Sequence, residues 1–179
     1  MASAMTSSSM ILVSGHALLG KIYFPRLIFP LTPIFTKMVD FGIAMGIVVA
    51  AMIYYHVSPT WNLIFLPLFI LMMMIVPAGI GLWLSSLSIR FRDVKFAMSF
   101  IIRMLMYSAP IVYSASSIPE TYRFIYSINP IVGVIEGLRS SLLGTPIPWE
   151  YIYPGMVSSI IILIGGTIYF KKMERILST

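Results

Sequence analysis

Long apolar stretches alternate with short polar turns along the chain. A helix needs about 20 apolar residues to cross a hydrocarbon core about 30 Å thick. Four stretches meet that length, over residues 31–55, 61–88, 94–113 and 151–170. The first is expected to open on Thr32-Pro33, an N-cap followed by a first-turn proline. Lys37 and Asp40 lie near its start. The second holds no charged residue, and Pro67, Pro77, Gly79 and Gly81 predict that it bends or breaks. The third takes Asp93 as its N-cap and encloses Arg103. The fourth contains Gly165-Gly166, a pair small enough for a second helix to approach closely.

Two regions do not fit a simple span. Residues 1–26 are rich in serine, and the apolar run Met10-Ile11-Leu12-Val13 is too short to cross. No basic residue precedes that run, so it does not read as a signal peptide. It reads instead as the tail of an earlier helix. Residues 114–150 carry Asn129-Pro130 as N-cap and first helical residue, and Gly144 as a C-terminal stop. Between them Ile131, Val134, Ile135, Leu138 and Leu142 form an apolar face, with Glu136 and Arg139 on another. A helix of that length is roughly 21 Å long, too short to cross. With residues 120–127 as a partner, opened by Pro119, it predicts a re-entrant pair.

Composition narrows the class. The chain has 179 residues, 59% hydrophobic and 10% charged, against about 45–50% apolar and about 25% charged for a soluble domain. A soluble enzyme, a disordered tail and a coiled coil are all disfavoured. The expected fold is all-α, a polytopic membrane bundle of four transmembrane helices with a short outer re-entrant pair, in one domain over residues 1–179. There is no cysteine, hence no disulfide or Cys-based metal site.

The net charge of +6 is clustered between spans rather than spread as a nucleic-acid-binding patch. One side carries eight basic residues: Lys21, Arg26, Arg90, Arg92, Lys95, Lys171, Lys172 and Arg175. The other carries two, Arg123 and Arg139. The positive-inside rule makes the first side cytoplasmic, with both termini inside. Tyr54, Tyr55, Trp61, Trp149, Tyr151 and Tyr153 then form an outer aromatic belt.

Catalytic chemistry is sparse. Neither a Walker-type phosphate loop nor a Rossmann fingerprint is present. His16 and His56 have no nearby carboxylates with which to build a metal site or a nucleophile triad. Only six acids occur in the chain. Transport or scaffolding is left.

Several segments, in order, resemble a known family. Leu18-Leu19-Gly20-Lys21-Ile22-Tyr23-Phe24-Pro25-Arg26 is similar to the L-I-x-K-V-Y-F-P-R stretch of ABC-2 type permeases that export O-antigen, capsule or teichoic acid. Asp40-Phe41 matches a pair often found in that family's corresponding span. The run from Gly79 through Val94, which includes Trp83-Leu84-Ser85 and Arg90-Phe91-Arg92-Asp93, resembles G-L-W-L-S-A-L-N-V-R-Y-R-D-V. Ser108-Ala109-Pro110-Ile111-Val112-Tyr113 resembles S-P-V-x-Y. Asn129-Pro130-Ile131, Gly137-Leu138-Arg139 and Leu142-Leu143-Gly144 resemble N-P-M, G-F-R and L-L-G. Met173-Glu174-Arg175 resembles the end of the last helix.

The resemblance implies the permease half of an ABC exporter, in a bacterial inner membrane. Its pathway would carry lipid-linked polysaccharide. The partners would be an ATP-binding cassette ATPase, a second permease copy and membrane lipid. The chain itself would be no enzyme and hold no cofactor, since ATP binds the ATPase. Family permeases have six spans and an N-terminal amphipathic helix, so residues 1–30 would be the tail of a missing helix followed by a cytoplasmic coupling segment. Other readings are an ABC-2 permease for a drug or small lipid, and a non-transporting scaffold.

Candidate sites follow from the resemblance and from the residues. Lys21, Tyr23, Phe24, Pro25 and Arg26 would dock the ATPase, or else anchor to lipid headgroups. Arg90, Arg92 and Asp93 set topology, and would also form a cytoplasmic gate or latch. Lys37 and Asp40, at i,i+3, can form an intramembrane ion pair. Arg103, Tyr107, Tyr113, Tyr122, Phe124 and Tyr126 would line the pathway, where aromatic faces let sugars slide. The competing readings are a bundle hydrogen bond for Arg103 and a membrane-interface belt for the aromatics. The methionines at 72–74 read as soft packing or lipid contact.

Overall fold

The computed structural model describes residues 1–14, 28–91, 93–111, 113 and 117–177. Among them the regular structure is entirely helical. Seven α-helices follow in order: α1 (Ala2–Ser14), α2 (Ile28–Tyr54), α3 (Leu66–Arg90), α4 (Val94–Tyr107), α5 (Glu120–Ser127), α6 (Pro130–Leu143) and α7 (Trp149–Leu177). A 3₁₀ turn, Trp61–Phe65, leads into α3.

Helix α3 is the hub. Phe69, Met72, Val76, Ile80 and Leu84 recur along it at three- and four-residue steps and are buried. They meet Met5 of α1, Met98 and Ile102 of α4, Ile131 and Val134 of α6, and Ile152 of α7. Of the expected bend or break, the break does not occur: Pro77 lies inside α3, and the helix runs unbroken from Leu66 to Arg90. Met72 belongs to this core rather than to a lipid face.

α3 and α7 cross where side chains are smallest. A Cβ on Gly166 would stand 2.8 Å from the Gly79 carbonyl oxygen, and one on Gly79 would stand 2.9 Å from the Leu163 nitrogen. Only glycine permits that backbone approach. The crossing is pinned by the Trp83 indole, which donates to the Ile162 carbonyl (3.0 Å) and stacks on Tyr169.

Helix boundaries differ from the sequence expectation in three places. α2 is already helical at Ile28, so Thr32 is not its N-cap; the Thr32 hydroxyl instead donates back to the Ile28 carbonyl. Pro33 is carried inside the helix. α7 begins at Trp149 and runs to Leu177, beyond both ends of residues 151–170. The third stretch, expected over 94–113, is helical only to Tyr107. Pro110 disfavours helical backbone at the residue before it and has no N–H to continue the ladder.

Consequently three helical stretches among the described residues are long and apolar enough to cross a membrane, Leu31–Tyr54, Trp61–Ser88 and Trp149–Glu174. At 14 residues α4 spans about 21 Å. The serine-rich start forms α1, which buries Ala4, Met5, Ser8 and Ser9 against the bundle. Two of its hydroxyls bond back along the helix, Thr6 to the Ala2 carbonyl at 3.0 Å and Ser9 to the Met5 carbonyl at 2.6 Å. α2 is the least packed long helix, with Phe35, Val39, Ile43 and Ile47 all exposed.

Candidate functional site

The segment between α4 and α7 is built around α6. Asn129 caps it, its side-chain oxygen accepting from the Ile131 N–H at 3.1 Å, and Pro130 takes the first turn. Gly144 ends it at φ 69°, a left-handed position that favours glycine. α6 is buried well beyond one apolar face: Val132, Gly133, Gly137, Ser140 and Ser141 are enclosed along with Ile131 and Val134. Its first residues lie beside the second turn of α7, where Gly155 faces Pro130 and Gly133. Its far end reaches the α2–α3 turn, where the Asn62 side-chain amide donates to the Thr145 carbonyl (2.7 Å).

Two side chains of this segment hold the end of α4. The Asn129 amide nitrogen donates to the Leu105 carbonyl (3.3 Å) and to the Ser108 hydroxyl (3.0 Å). The Arg139 guanidinium donates to the carbonyls of Pro110 (2.8 Å), Ile111 (3.2 Å) and Tyr113 (3.1 Å). It also pairs with Glu136 at 2.7 Å, and that carboxylate is only 7% exposed. The Glu136–Arg139 spacing was visible in sequence, but as a polar helix face; the structure makes it a buried, charge-assisted anchor.

The aromatic residues are partly gathered. The hydroxyls of Tyr113 and Tyr126 are 3.0 Å apart. Burial pushes the Tyr126 phenol well above the usual tyrosine range, and its hydrogen bond to Tyr113 adds to the shift. Tyr107, Tyr122 and Phe124 are exposed, and no ring contact among the described residues joins them to that pair. Arg103 is exposed on α4, with no hydrogen bond or ion pair to another described residue.

The remaining candidates lie elsewhere. Lys37 Nζ stands 2.7 Å from Asp40 Oδ2, both side chains being substantially exposed on α2. Arg90 is the last residue of α3. Asp93 occupies the N-cap position of α4 but makes no capping hydrogen bond, and its backbone is itself helical (φ −75°, ψ −19°), where a capping residue is ordinarily extended. Lys21, Tyr23, Phe24, Pro25, Arg26 and Arg92 lie outside the described residues. A hollow of about 410 Å³ between α3, α4 and α7 is lined by Ile80, Trp83, Leu84, Ile101, Ile161 and Ile162. The one polar side-chain group among these residues, the Trp83 N–H, is already bonded to the Ile162 carbonyl. No cluster of metal-ligating side chains occurs among the described residues.

Comparison with known proteins gives this helical framework a family. The O-antigen export system permease protein RfbA of Klebsiella pneumoniae is represented by two sequences, each 26% identical over 174 residues. Each match covers 97% of this chain and 67% of the relative. The O-antigen export system permease protein RfbA of Myxococcus xanthus is 22% identical over 125 residues, 69% of this chain and 48% of its own. The family profile described as ABC-2 type transporter matches residues 1–143. The chain belongs to the ABC-2 type transporter family, as the motifs from Lys21 to Gly144 imply.

Proposed function

We infer that this chain is the membrane-spanning permease subunit of an ABC exporter that moves lipid-linked polysaccharide across the bacterial inner membrane. The observation that carries the reading is its similarity to O-antigen export permeases over 97% of its length. The scarcity of catalytic side chains supports a pathway rather than an active site. A separate ATP-binding cassette subunit would bind and hydrolyse ATP, leaving this chain without a cofactor, and a second permease copy would complete the pathway.

Within that reading the roles divide by depth. Lys21, Tyr23, Phe24, Pro25 and Arg26 dock the ATPase on the cytoplasmic side. Arg90, Arg92 and Asp93 sit at the next cytoplasmic turn as gate or latch. Lys37 and Asp40 form an ion pair partway along α2, and the exposed Asp40 would meet a neighbouring helix. The fourth crossing is α4 together with the residues that follow it, and α5 and α6 enter from outside and return. The approach of Pro130 to Gly155, with the other end of α6 near Thr60, supports that course. Arg103, Tyr107, Tyr113, Tyr122, Phe124 and Tyr126 line the pathway, with Arg103 meeting anionic groups of the glycan.

The test is a chimera in which this chain replaces its matching region of the Klebsiella pneumoniae relative. Expressed in cells lacking that permease, it should restore surface O-antigen. A chimera that inserts and co-purifies with the ATPase but leaves the surface bare would overturn the reading.

A further inference from the structure

The end of α4 poses a problem that a membrane makes acute. Backbone carbonyls without partners are costly in hydrocarbon, and non-helical chain at that depth survives only where protein satisfies it. Past Tyr107 the chain stops being helical, yet it continues along α6: Ser108 lies at Asn129, the first cap of α6, and Pro110, Ile111 and Tyr113 lie at Arg139, ten residues further along. Arg139 supplies N–H donors to three carbonyls of this stretch, those of Pro110, Ile111 and Tyr113. The buried Glu136 carboxylate neutralises and orients the guanidinium that does so.

We propose that Glu136 and Arg139 are positioning residues that dock the unwound end of α4 onto α6, so that α4 and the outer hairpin move as one body. An ordinary i,i+3 ion pair would only support its own helix. Here the same guanidinium bridges carbonyls on a different element. Planarity matters, because two guanidinium nitrogens reach acceptors spread from residue 110 to 113. A lysine ammonium is a single point and cannot span them. Asn129 provides the lower fastening, and the Tyr113–Tyr126 hydroxyl contact ties the top of the stretch to α5.

Hydrogen exchange of the purified full chain in detergent reads this directly, since it reports opening of the stretch without requiring transport. Arg139→Lys should speed exchange of peptides covering residues 108–113 roughly tenfold, the effect of losing one to two net hydrogen bonds. Glu136→Gln, which keeps an acceptor for Arg139, should give a smaller rise. Peptides of α3 and α7 should be unchanged. Unchanged exchange over 108–113 in Arg139→Lys overturns the docking role. A uniform rise across the chain also overturns it, for it would make Arg139 a general fold determinant. The consequence for export rests on the proposed function, and it is tested by placing Arg139→Lys in the O-antigen chimera. Faster local exchange with undiminished export removes the role in transport. A parent chimera that exports nothing sinks the export reading and leaves the exchange result to stand or fall alone.

Discussion

Gly166 shows how little room a single residue can have. A Cβ there would meet the Gly79 carbonyl oxygen at 2.8 Å and the Trp83 ring at 2.9 Å. Gly166→Leu should therefore force α3 and α7 apart, at a cost of about 2 kcal/mol, as overpacking of closed sites does. Thermal unfolding in detergent checks it, and a melting temperature equal to wild type would mean the crossing can yield. Asp93 is the opposite case. It stands at the N-cap position without a capping bond, so Asp93→Asn or Asp93→Ser should change stability by less than about 0.5 kcal/mol, as for surface sites without special contacts. A loss of about 1 kcal/mol or more on thermal unfolding would reveal a partner for its carboxylate. If stability holds while export by the chimera falls, the cytoplasmic latch gains its support. Residue-level chemistry was readable where it is local. Asn129-Pro130, Gly144 and the Gly165-Gly166 pair each act through atoms a few residues away or through sheer size, and their spelling shows it. Glu136 was not readable in that way: its burial depends on how α6 packs among elements distant in sequence, and no local pattern contains that.

Elements were legible in kind and less so at their ends. Apolar runs placed α2, α3 and α7 correctly because length and hydrophobicity suffice to make a spanning helix. The misplaced start of α2 has a physical reason. Thr-Pro spells a helix start, but a threonine hydroxyl can equally bond back to the carbonyl four residues before it, and α2 carries Pro33 inside it at the loss of one ladder bond. The same ambiguity made Pro77 look like a break, whereas the packing of Val76 and Ile80 on either side holds α3 intact. α4 was overextended because its apolar character continues past the last helical residue; Ser108-Ala109-Pro110 is the stop signal that hydropathy does not register. The stretch beyond α4 gives an element-scale expectation. Tyr113→Phe removes the hydroxyl contact with Tyr126 but leaves the backbone fastening to Arg139. It should cost about 1 kcal/mol, the worth of one net hydrogen bond, and raise exchange only around residue 113. Loss of the whole fastening in that variant would show that the hydroxyl pair, not Arg139, holds the segment.

At the scale of the whole molecule, two independent lines bear on how the chain sits in its membrane. The first is charge: eight basic residues lie at one set of connections and two at the other. The second is packing. The Asn62 side-chain amide bonds the Thr145 carbonyl, and Phe65 meets the Trp149 ring edge-on at 5.3 Å, so the α2–α3 turn and the α6–α7 connection share one end of the bundle. The α3–α4 turn, at Phe91, lies a full 25-residue helix away. Among the described residues the packing thus sets Phe91, beside Arg90, at the end opposite the α2–α3 turn, as the charge pattern predicts. The chain has no cysteine, which makes the division easy to probe. Single cysteines at Ser58 and Thr145 should react with an impermeant thiol reagent on intact right-side-out vesicles. A cysteine at Phe91 should react only after the membrane is opened. Ser58 and Thr145 are suitable because only the Thr145 backbone, not its side chain, takes part in the bond that joins the two connections. Labelling of Ser58 and Thr145 from opposite sides would contradict the packing itself. Labelling of both from the cytoplasmic side, with Phe91 outside, would keep the bundle and invert it, removing the coupling role of residues 21–26, since an ATPase in the cytoplasm could then not reach them.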